Sequence, residues 1–293
     1  MREFGMDTKT EASAEHLKTW VGRTESSEDT IASWPVRALS ASFDLPEPDL
    51  KDGASVPLGW HWLYFLEAKR ASELGTDGHP KRGGFLPPVP LPRRMWAGGR
   101  IEFRRPLRIG EKARKESAIL SVEPKSGRSG SMVFVVVRHT IYGSNEITAV
   151  EEHDIVYREA ARAGDPQPVG KPAAVQPKWT QQVAATSTLL FRFSALTFNG
   201  HRIHYDVPYA TGEEHYGGLV VHGPLQALLL LGMAEKHAPK PIARFNYRGV
   251  SPLFHPSTFT VNGVEAGAGK LELWTASDKG GQCMTATAES AVA

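Results

Sequence analysis

The side chains best suited to chemistry are concentrated between positions 199 and 206. This stretch holds Asn199, His201, Arg202, His204, Tyr205 and Asp206. Histidine titrates near neutral pH and is the side chain used most often as a general acid or base. The stretch therefore predicts a catalytic loop with His204 as a candidate base, although any single histidine here can equally be a structural one, hydrogen-bonded to backbone.

An apolar helix is predicted to follow this loop and to position it. Pro224 suits the first helical position, and the residues up to about His237 leave almost no polar face, so the helix must be buried. A helix N-terminus offers free N–H groups and a partial positive charge. The N–H of Gly223 can therefore hold a substrate oxygen, and loop and helix together predict a site for chemistry beside a carbonyl.

Other kinds of site fit the sequence less well. A metal site is the obvious rival, and it would use His201, His204, His215 and His222. Their spacing matches no known ligand pattern, and acidic residues at partner positions are sparse, so no metal is predicted. The sequence has no Gly-x-Ser-x-Gly nucleophile motif, no glycine-rich phosphate loop and no dinucleotide fingerprint, so no cofactor is predicted either.

Composition narrows the class of protein. Hydrophobic residues make up 41% of the 293 positions, and the net charge is only +2, so we expect no nucleic-acid partner. The single cysteine, Cys283, excludes an internal disulfide. No window approaches the roughly 18 apolar residues of a membrane span, and the first residues do not resemble a signal peptide. We therefore expect a soluble cytoplasmic protein without a membrane partner.

The order of elements predicts two similar units. A buried helix from Pro57 to Leu74 precedes a Pro- and Gly-rich stretch and then a run of strands. Residues 160–178 read as a linker, after which the catalytic loop, the buried helix and more strands follow. The segment 100–110 resembles 244–254, and each follows a predicted helix. We expect an α+β fold with domains at 1–159 and 179–293, each a long buried helix wrapped by an antiparallel sheet.

The loop and second helix resemble the hydratase motif of the MaoC-like (R)-specific enoyl-CoA hydratases and 3-hydroxyacyl-thioester dehydratases, which have the hot-dog fold. The family's catalytic histidine matches His204, and its glycine at the helix start matches Gly223. The family's catalytic aspartate falls on Asn199, and its Asn-Pro pair falls on His201 and Arg202. Because an amide cannot take a proton as a carboxylate does, the resemblance implies that His204 is the sole strong base and that Asn199 positions water.

Three segments are similar to one branch of this family, and they read PRRMWAGGRIEF, SALTFN with HRIHYD, and FNYRGVSPL. This branch comprises HTD2-like double hot-dog proteins identified as mesaconyl-CoA (C4 thioester) or itaconyl-CoA hydratases. The resemblance implies a tandem hot-dog that hydrates an enoyl-CoA reversibly. Since water is the reagent, the acyl-CoA is the only partner implied, and a homodimer or higher homo-oligomer is expected by analogy of fold.

A substrate with a free carboxylate would need a cation, and arginine binds carboxylates with two parallel hydrogen bonds. The candidate cations are Arg202, Arg192 on the preceding strand, Arg93 and Arg94. Further substrate contacts are expected from His201, Tyr205 and His222. The first unit has no matching histidine loop, so it is expected to shape the acyl pocket, with residues 77–95 covering the substrate.

Three alternatives remain open at this point. The protein could be a dehydratase of a monocarboxylic acyl chain, or a hot-dog thioesterase, since the fold hosts both reactions. It could also be a degenerate hot-dog that binds an acyl-CoA without turnover, because the family aspartate is missing.

Overall fold

The computed structural model describes residues 14–127, 130–267 and 269–291. Its α-helices are α1 (Ala14–Lys18), α2 (Ser33–Ser42), α3 (Ser187–Leu196) and α4 (Gly223–His237). Short 3-10 turns occur at Trp60–Leu63, Ala71–Glu73 and Arg202–His204, and a π-helical turn occurs at Tyr209–Glu213. Among these described residues, no helix has the length and apolar character needed to cross a membrane.

The largest feature of the described chain is one ten-stranded antiparallel sheet. The first half contributes β1 (Thr24–Thr30), β2 (Arg93–Phe103), β3 (Lys112–Gly127), β4 (Gly130–Gly143) and β5 (Glu146–Arg158). The second half contributes β6 (Trp179–Ala185), β7 (Leu219–Val220), β8 (Ile242–Gly249), β9 (Phe254–His255), β10 (Ser257–Glu265), β11 (Lys270–Ala276) and β12 (Gln282–Ser290). The ten-stranded order is β1-β3-β4-β5-β2-β8-β12-β11-β10-β6, and β7 pairs separately with β9.

This strand order is symmetric about its centre. Read outward from the middle, the first half runs β2, β5, β4, β3, β1 and the second runs β8, β12, β11, β10, β6. In each half the edge strand is followed by a ten-residue helix, α2 or α3. The predicted α+β class and the repeat of one unit are confirmed by this topology. Residues 160–178 contain no helix or strand, and the domain bounds placed there stay a prediction.

The two halves join through the pairing of β2 with β8. Ile101 lies opposite Phe245, and these are equivalent positions of the repeat recognised in the sequence. A symmetric dimer pairs equivalent residues in the same way. Gly98 lets the strands approach, because a Cβ there would lie 2.5 Å from the backbone oxygen of Tyr247. The two units are thus joined by backbone hydrogen bonds as well as by a shared core.

Helix α4 is the centre of the core, as the sequence predicted. Leu225, Leu228, Leu230 and Leu231 are at most 2% exposed. The helix serves the first half too, because a Cβ on Gly59 would lie 2.8 Å from Leu228 and from Leu231. Gly59 also has a φ of 78°, which glycine adopts at little cost.

The helix predicted at Pro57–Leu74 is wrong. The structure has only the two 3-10 turns there, and the chain between them is irregular. Phe65 takes a φ of 57°, and its N–H donates to the Asp29 carboxylate at 2.8 Å. The Tyr64 hydroxyl donates to the carbonyl of Ala32. These distant partners outweigh the local helix pattern, so the first unit lacks the long helix of the second.

A buried polar layer lies on the inner face of the first half. Glu151 is 2% exposed and accepts hydrogen bonds from His61 and Trp62, each at 2.9 Å. His153 lies 3.2 Å from its other oxygen. Burial by itself would raise the pKa of Glu151, but His153 and His61 hold that pKa well below its ordinary value. Glu151 is therefore a buried carboxylate kept charged by its partners.

We predict that Glu151→Gln will lower the free energy of unfolding by about 2 to 4 kcal/mol, because an amide cannot accept every hydrogen bond that the carboxylate accepts and leaves buried donors such as those of His61 and Trp62 unpaired. Urea unfolding at neutral pH measures this. Glu265→Gln is the matched control, since Glu265 pairs with Lys178 at 2.9 Å where both side chains are more than half exposed. The control should lose less than about 1 kcal/mol. Equal losses in the two variants would contradict the prediction.

Candidate active site

His204 ends the turn between α3 and α4 and is 7% exposed. Its Nδ1 donates to the carbonyl of Val220 at 2.7 Å, which leaves Nε2 free to accept a proton. Burial lowers the pKa of His204 to about 4, although the Val220 carbonyl opposes the shift. The ring is therefore neutral at physiological pH and has one nitrogen available, which is the state of a general base.

His222 holds the ring of His204 in place. The two imidazoles stack with centroids 3.6 Å apart and planes at 19°. His222 is fully buried, and its Nε2 lies 2.9 Å from the Ser194 hydroxyl on α3. Burial, with further contributions from His204 and His201, keeps the pKa of His222 well below its ordinary value. Since His222 is the residue before α4, this stack fixes His204 relative to the helix start.

Gly223 is the first residue of α4, and an N–H at that position has no acceptor within the helix. A Cβ on Gly223 would lie 2.8 Å from the ring of Trp96. Trp96 belongs to β2 of the first half and also packs against Tyr247, with ring centroids 4.6 Å apart. Glycine is thus required because an aromatic ring from the other unit covers the helix N-terminus.

Asn199 is half-buried and directed into its own loop. Its side-chain oxygen accepts the N–H of His201 at 3.0 Å, and its backbone N–H donates to Ser194. The predicted role of Asn199 in positioning water stays a prediction.

A loop from the first half docks onto the catalytic loop. The carbonyl of Asp77 accepts the N–H of Arg202 at 2.9 Å, and the carbonyl of Thr76 accepts the Arg202 side chain at 2.9 Å. Gly78 lies so close to Gly200 that a Cβ would strike the Gly200 carbonyl. These contacts place residues 76–79 against the turn that ends at His204.

The docked loop adds a carboxylate and an imidazole to the site. Asp77 lies 3.2 Å from Nδ1 of His79 and also accepts the His79 N–H at 3.0 Å. The ring of His79 lies 4.1 Å from that of His201, which lies 5.6 Å from that of His204. Burial lowers the pKa of His79, and burial together with His79 lowers that of His201 to about 2. The site therefore holds a row of neutral imidazoles beside one carboxylate.

Two groups of side chains have the geometry to hold a metal ion. Within the described part of the chain these are Asp77 with His79 and His201, and His139 with Glu151 and His153, and in each group the ligand atoms lie within 4.8 Å of one another. The first group belongs to the site around His204. Neither group consists of the four histidines that the sequence offered as possible metal ligands, which are His201, His204, His215 and His222.

Three of the four candidate arginines are engaged elsewhere or point away. Arg93 pairs with Glu214 at 2.8 Å, and Arg202 pairs with Asp206 at 2.8 Å. Arg192 lies on helix α3, not on the predicted strand, and is exposed to solvent. The strand was wrong because Thr186 caps a helix here, accepting a hydrogen bond from the N–H of Leu189 at 3.1 Å.

Arg94 is the remaining candidate, and it lies on the inner face. It pairs across strands with Tyr157, which is fully buried, so both side chains point to the same face of the sheet. Its charge acts on His79 and His201. Among the residues that the structure describes, no carboxylate lies within ion-pair distance of Arg94. Arg94 is thus a half-buried cation beside the imidazoles, without an acidic partner.

The structure brings together several of the predicted residues of the second half and adds neighbours from the first half. His201, His204, His222 and Gly223 come together, whereas Tyr205 is half exposed and donates only to the carbonyl of Gly200. Asp77, His79 and Trp96 were not predicted. Asp77 and His79 lie in the segment 77–95, which was already expected to cover the substrate. An acidic residue and a histidine in that segment were therefore a signal that could have identified them.

The arrangement suits proton transfer next to a polarised carbonyl. A buried neutral base, His204, stands near the first N–H of α4, at Gly223, and the ring of Trp96 lies against that glycine. A base of this kind can take a proton from water or from a carbon next to a thioester, and the N–H stabilises the resulting enolate oxygen.

Comparison with known proteins agrees with this geometry. Residues 59–255 match the family described as hydroxyacyl-thioester dehydratase type 2. A protein of Chloroflexus aurantiacus named mesaconyl-C(4)-CoA hydratase is 46% identical over 92% of this chain and 96% of its own length. The mitochondrial hydroxyacyl-thioester dehydratase type 2 of Schizosaccharomyces pombe is 30% identical over 78% of this chain and 85% of its own length.

Solved structures identify the fold. A MaoC-like dehydratase of Phytophthora capsici superposes with a TM-score of 0.70 at 13% identity, covering 94% of this chain and 97% of that one. A protein of Mycobacterium tuberculosis with a double hot-dog fold superposes with a TM-score of 0.57 at 13% identity, covering 92% and 96% of the two chains. The predicted tandem hot-dog is confirmed, and the chain belongs to the hydroxyacyl-thioester dehydratase type 2 family.

Proposed function

We propose that this protein catalyses the reversible hydration of the α,β-unsaturated CoA thioester of a small dicarboxylic acid, such as mesaconyl-CoA. The observation that carries the reaction type is the buried His204, whose Nδ1 donates to Val220 and whose free Nε2 lies beside the start of α4. The family and the name of the relative from Chloroflexus support hydration rather than thioester hydrolysis.

The chemistry follows from these groups. Nε2 of His204 takes a proton from water as the water oxygen bonds to Cβ of the substrate. The electrons of the double bond move onto the thioester oxygen, which the N–H of Gly223 holds. His204 then returns the proton to Cα, so that water has been added across the double bond. The reverse sequence is dehydration, and water is the only co-reactant needed.

Arg94 supports a dicarboxylic substrate. In a small dicarboxylic thioester, the carbons of the double bond separate the free carboxylate from the thioester carbonyl. The cation that binds this carboxylate must therefore lie close to the site. Arg94 is two residues before Trp96 on β2, or about 7 Å along a strand, and Trp96 contacts Gly223. Assembly into a homo-oligomer and a cytoplasmic location stay predictions.

We predict that His204→Ala will lower kcat at least about 100-fold, the usual contribution of a general base. The measurement is the loss of enoyl-thioester absorbance with crotonyl-, mesaconyl- and itaconyl-CoA. Release of free CoA thiol is followed in parallel. His237→Ala is the control, because His237 lies at the far end of α4, stacked on Trp179. Thiol release without hydration would show a thioesterase, and tight binding without turnover would show an acyl-CoA-binding protein.

The pH profile provides a second prediction. Because burial lowers the pKa of His204 to about 4, the base stays unprotonated well below the ordinary histidine pKa of about 6.5. We expect kcat/KM to stay constant between about pH 8 and about pH 5 and to fall as the pH drops through about 4. Circular dichroism at each pH must show a folded protein. An acid limb near pH 6.5 in folded protein would contradict this prediction.

The third prediction concerns Arg94. Replacing it by Met should lower kcat/KM for mesaconyl-CoA by about 10- to 100-fold, the effect of losing a charged hydrogen bond, and leave crotonyl-CoA within about threefold. Arg93→Met is the matched control, because Arg93 is already paired with Glu214 and should not distinguish the two substrates. An equal effect of Arg94→Met on both substrates would remove the support for a dicarboxylic acid.

A further inference from the structure

A second catalytic group in this site would have to do what a carboxylate at position 199 does in the related motif, because Asn199 is an amide. The MaoC-like hydratase motif that the loop resembles has a carboxylate at this position, whereas an amide has no negative charge and its oxygen is already hydrogen-bonded to the N–H of His201. Within the catalytic loop the carboxylate of Asp206 is already paired with Arg202 at 2.8 Å, whereas a second carboxylate reaches the loop from the other half of the chain. It is Asp77, whose carbonyl accepts the N–H of Arg202, two residues before His204.

We propose that His79, held by Asp77, is a second catalytic residue that takes the place of the missing carboxylate. This inference rests on the proposed hydration at His204. It assigns a catalytic role to the first unit, which the sequence predicted to be without one.

The hydrogen bonds of Asp77 define the state of His79. The carboxylate contacts Nδ1 of the ring at 3.2 Å and accepts the backbone N–H of His79 at 3.0 Å. A carboxylate at Nδ1 fixes the proton on that nitrogen, so Nε2 is left as an acceptor. Burial lowers the pKa of His79, which favours this neutral form over the imidazolium. Asp77 is thus a positioning residue, and Nε2 of His79 is the group available to the substrate.

The backbone holds this pair against the catalytic loop. Gly78 contacts the carbonyl of Gly200 too closely for any side chain, and the Arg202 guanidinium donates to the carbonyl of Thr76. The ring of His79 packs on that of His201 at 4.1 Å, and its charge would act on His204. Residues 76–79 therefore pack against the turn at Arg202–His204. Each segment carries one imidazole that can accept a hydrogen bond, His79 in the first and His204 in the second.

The role of His79 can be written with atoms balanced. The attacking water donates one O–H to Nε2 of His204 and the other to Nε2 of His79. His204 takes the first proton and returns it to Cα. The second O–H stays intact and becomes the hydroxyl of the 3-hydroxyacyl product, still donated to His79. His79 thereby directs a lone pair of the water oxygen at Cβ, and no oxidant or further reactant is involved.

The test compares His79→Gln, Asp77→Asn, Asn199→Asp and the double variant His79→Gln with Asn199→Asp. Each is assayed for hydration of mesaconyl-CoA with kcat and KM separated. We expect His79→Gln to lower kcat by about 100-fold with KM within about threefold. We expect Asp77→Asn to lower kcat by about 10-fold. In the double variant a carboxylate returns to position 199, so kcat should recover at least about 10-fold over His79→Gln alone.

Two controls run in parallel. His237→Gln should match the wild type, and thermal melting must show that each variant is folded. If wild type hydrates and His204→Ala does not, while folded His79→Gln and Asp77→Asn keep the wild-type kcat, the pair has no catalytic role and the proposed function stands. A rise in KM alone would also overturn the proposal, as would a failure of Asn199→Asp to recover activity in the double variant. If the wild-type protein shows no hydration of mesaconyl-CoA, the proposed function is wrong.

A metal ion on the same side chains is the rival outcome. Asp77, His79 and His201 have the geometry to hold one. Elemental analysis of the purified protein, followed by assay after chelation, decides this. One bound equivalent of a metal whose removal abolishes hydration would overturn the hydrogen-bonding role of His79. Full activity in metal-free protein supports it.

Discussion

The pairing of β2 with β8 is the constraint on which the rest of the structure depends. It joins equivalent strands of the two halves at Ile101 and Phe245, and it makes one sheet of two. The same strands carry Trp96 and Tyr247, whose rings pack against each other, and Trp96 reaches the start of α4. Shifting one of these strands by one residue would turn its ring to the other face of the sheet and separate it from the ring of its partner. The candidate site is therefore built on the seam and needs both halves.

The two halves have diverged around this seam in a way that serves the site. The second keeps a long apolar helix whose N-terminus faces His204. The first has replaced its helix by turns, and Gly59 packs directly on Leu228 and Leu231 of α4. Helix α4 thus packs against both units, although the first unit also has a core cluster of its own around Ile119, Val135 and Tyr157. Because it lacks a long core helix, the first half has a long connection that runs across the seam, and that connection carries Asp77 and His79.

Local patterns predicted much of this, and long-range contacts account for the errors. Helix α4 and the strand repeat were predictable because apolar spacing and Pro224 are local signals. The helix from Pro57 fails because Asp29, far away in sequence, binds the N–H of Phe65. His79 was missed for the same reason, since its neighbour His201 is more than a hundred positions away. Local sequence determines individual helices and strands, whereas a site shared by two units depends on how the two units pack together.

Burial of the imidazoles moves the pKa of the proposed base, His204, away from the working pH. A base is most effective when its pKa is near the working pH, and burial lowers that of His204 to about 4. Arg94 adds positive charge nearby, which lowers the pKa of His201 further. A substrate carboxylate bound to Arg94 would neutralise this charge and bring a negative one close to the rings, and both effects raise a histidine pKa. A dicarboxylic substrate would therefore strengthen the base that acts on it, which a neutral acyl chain does not do.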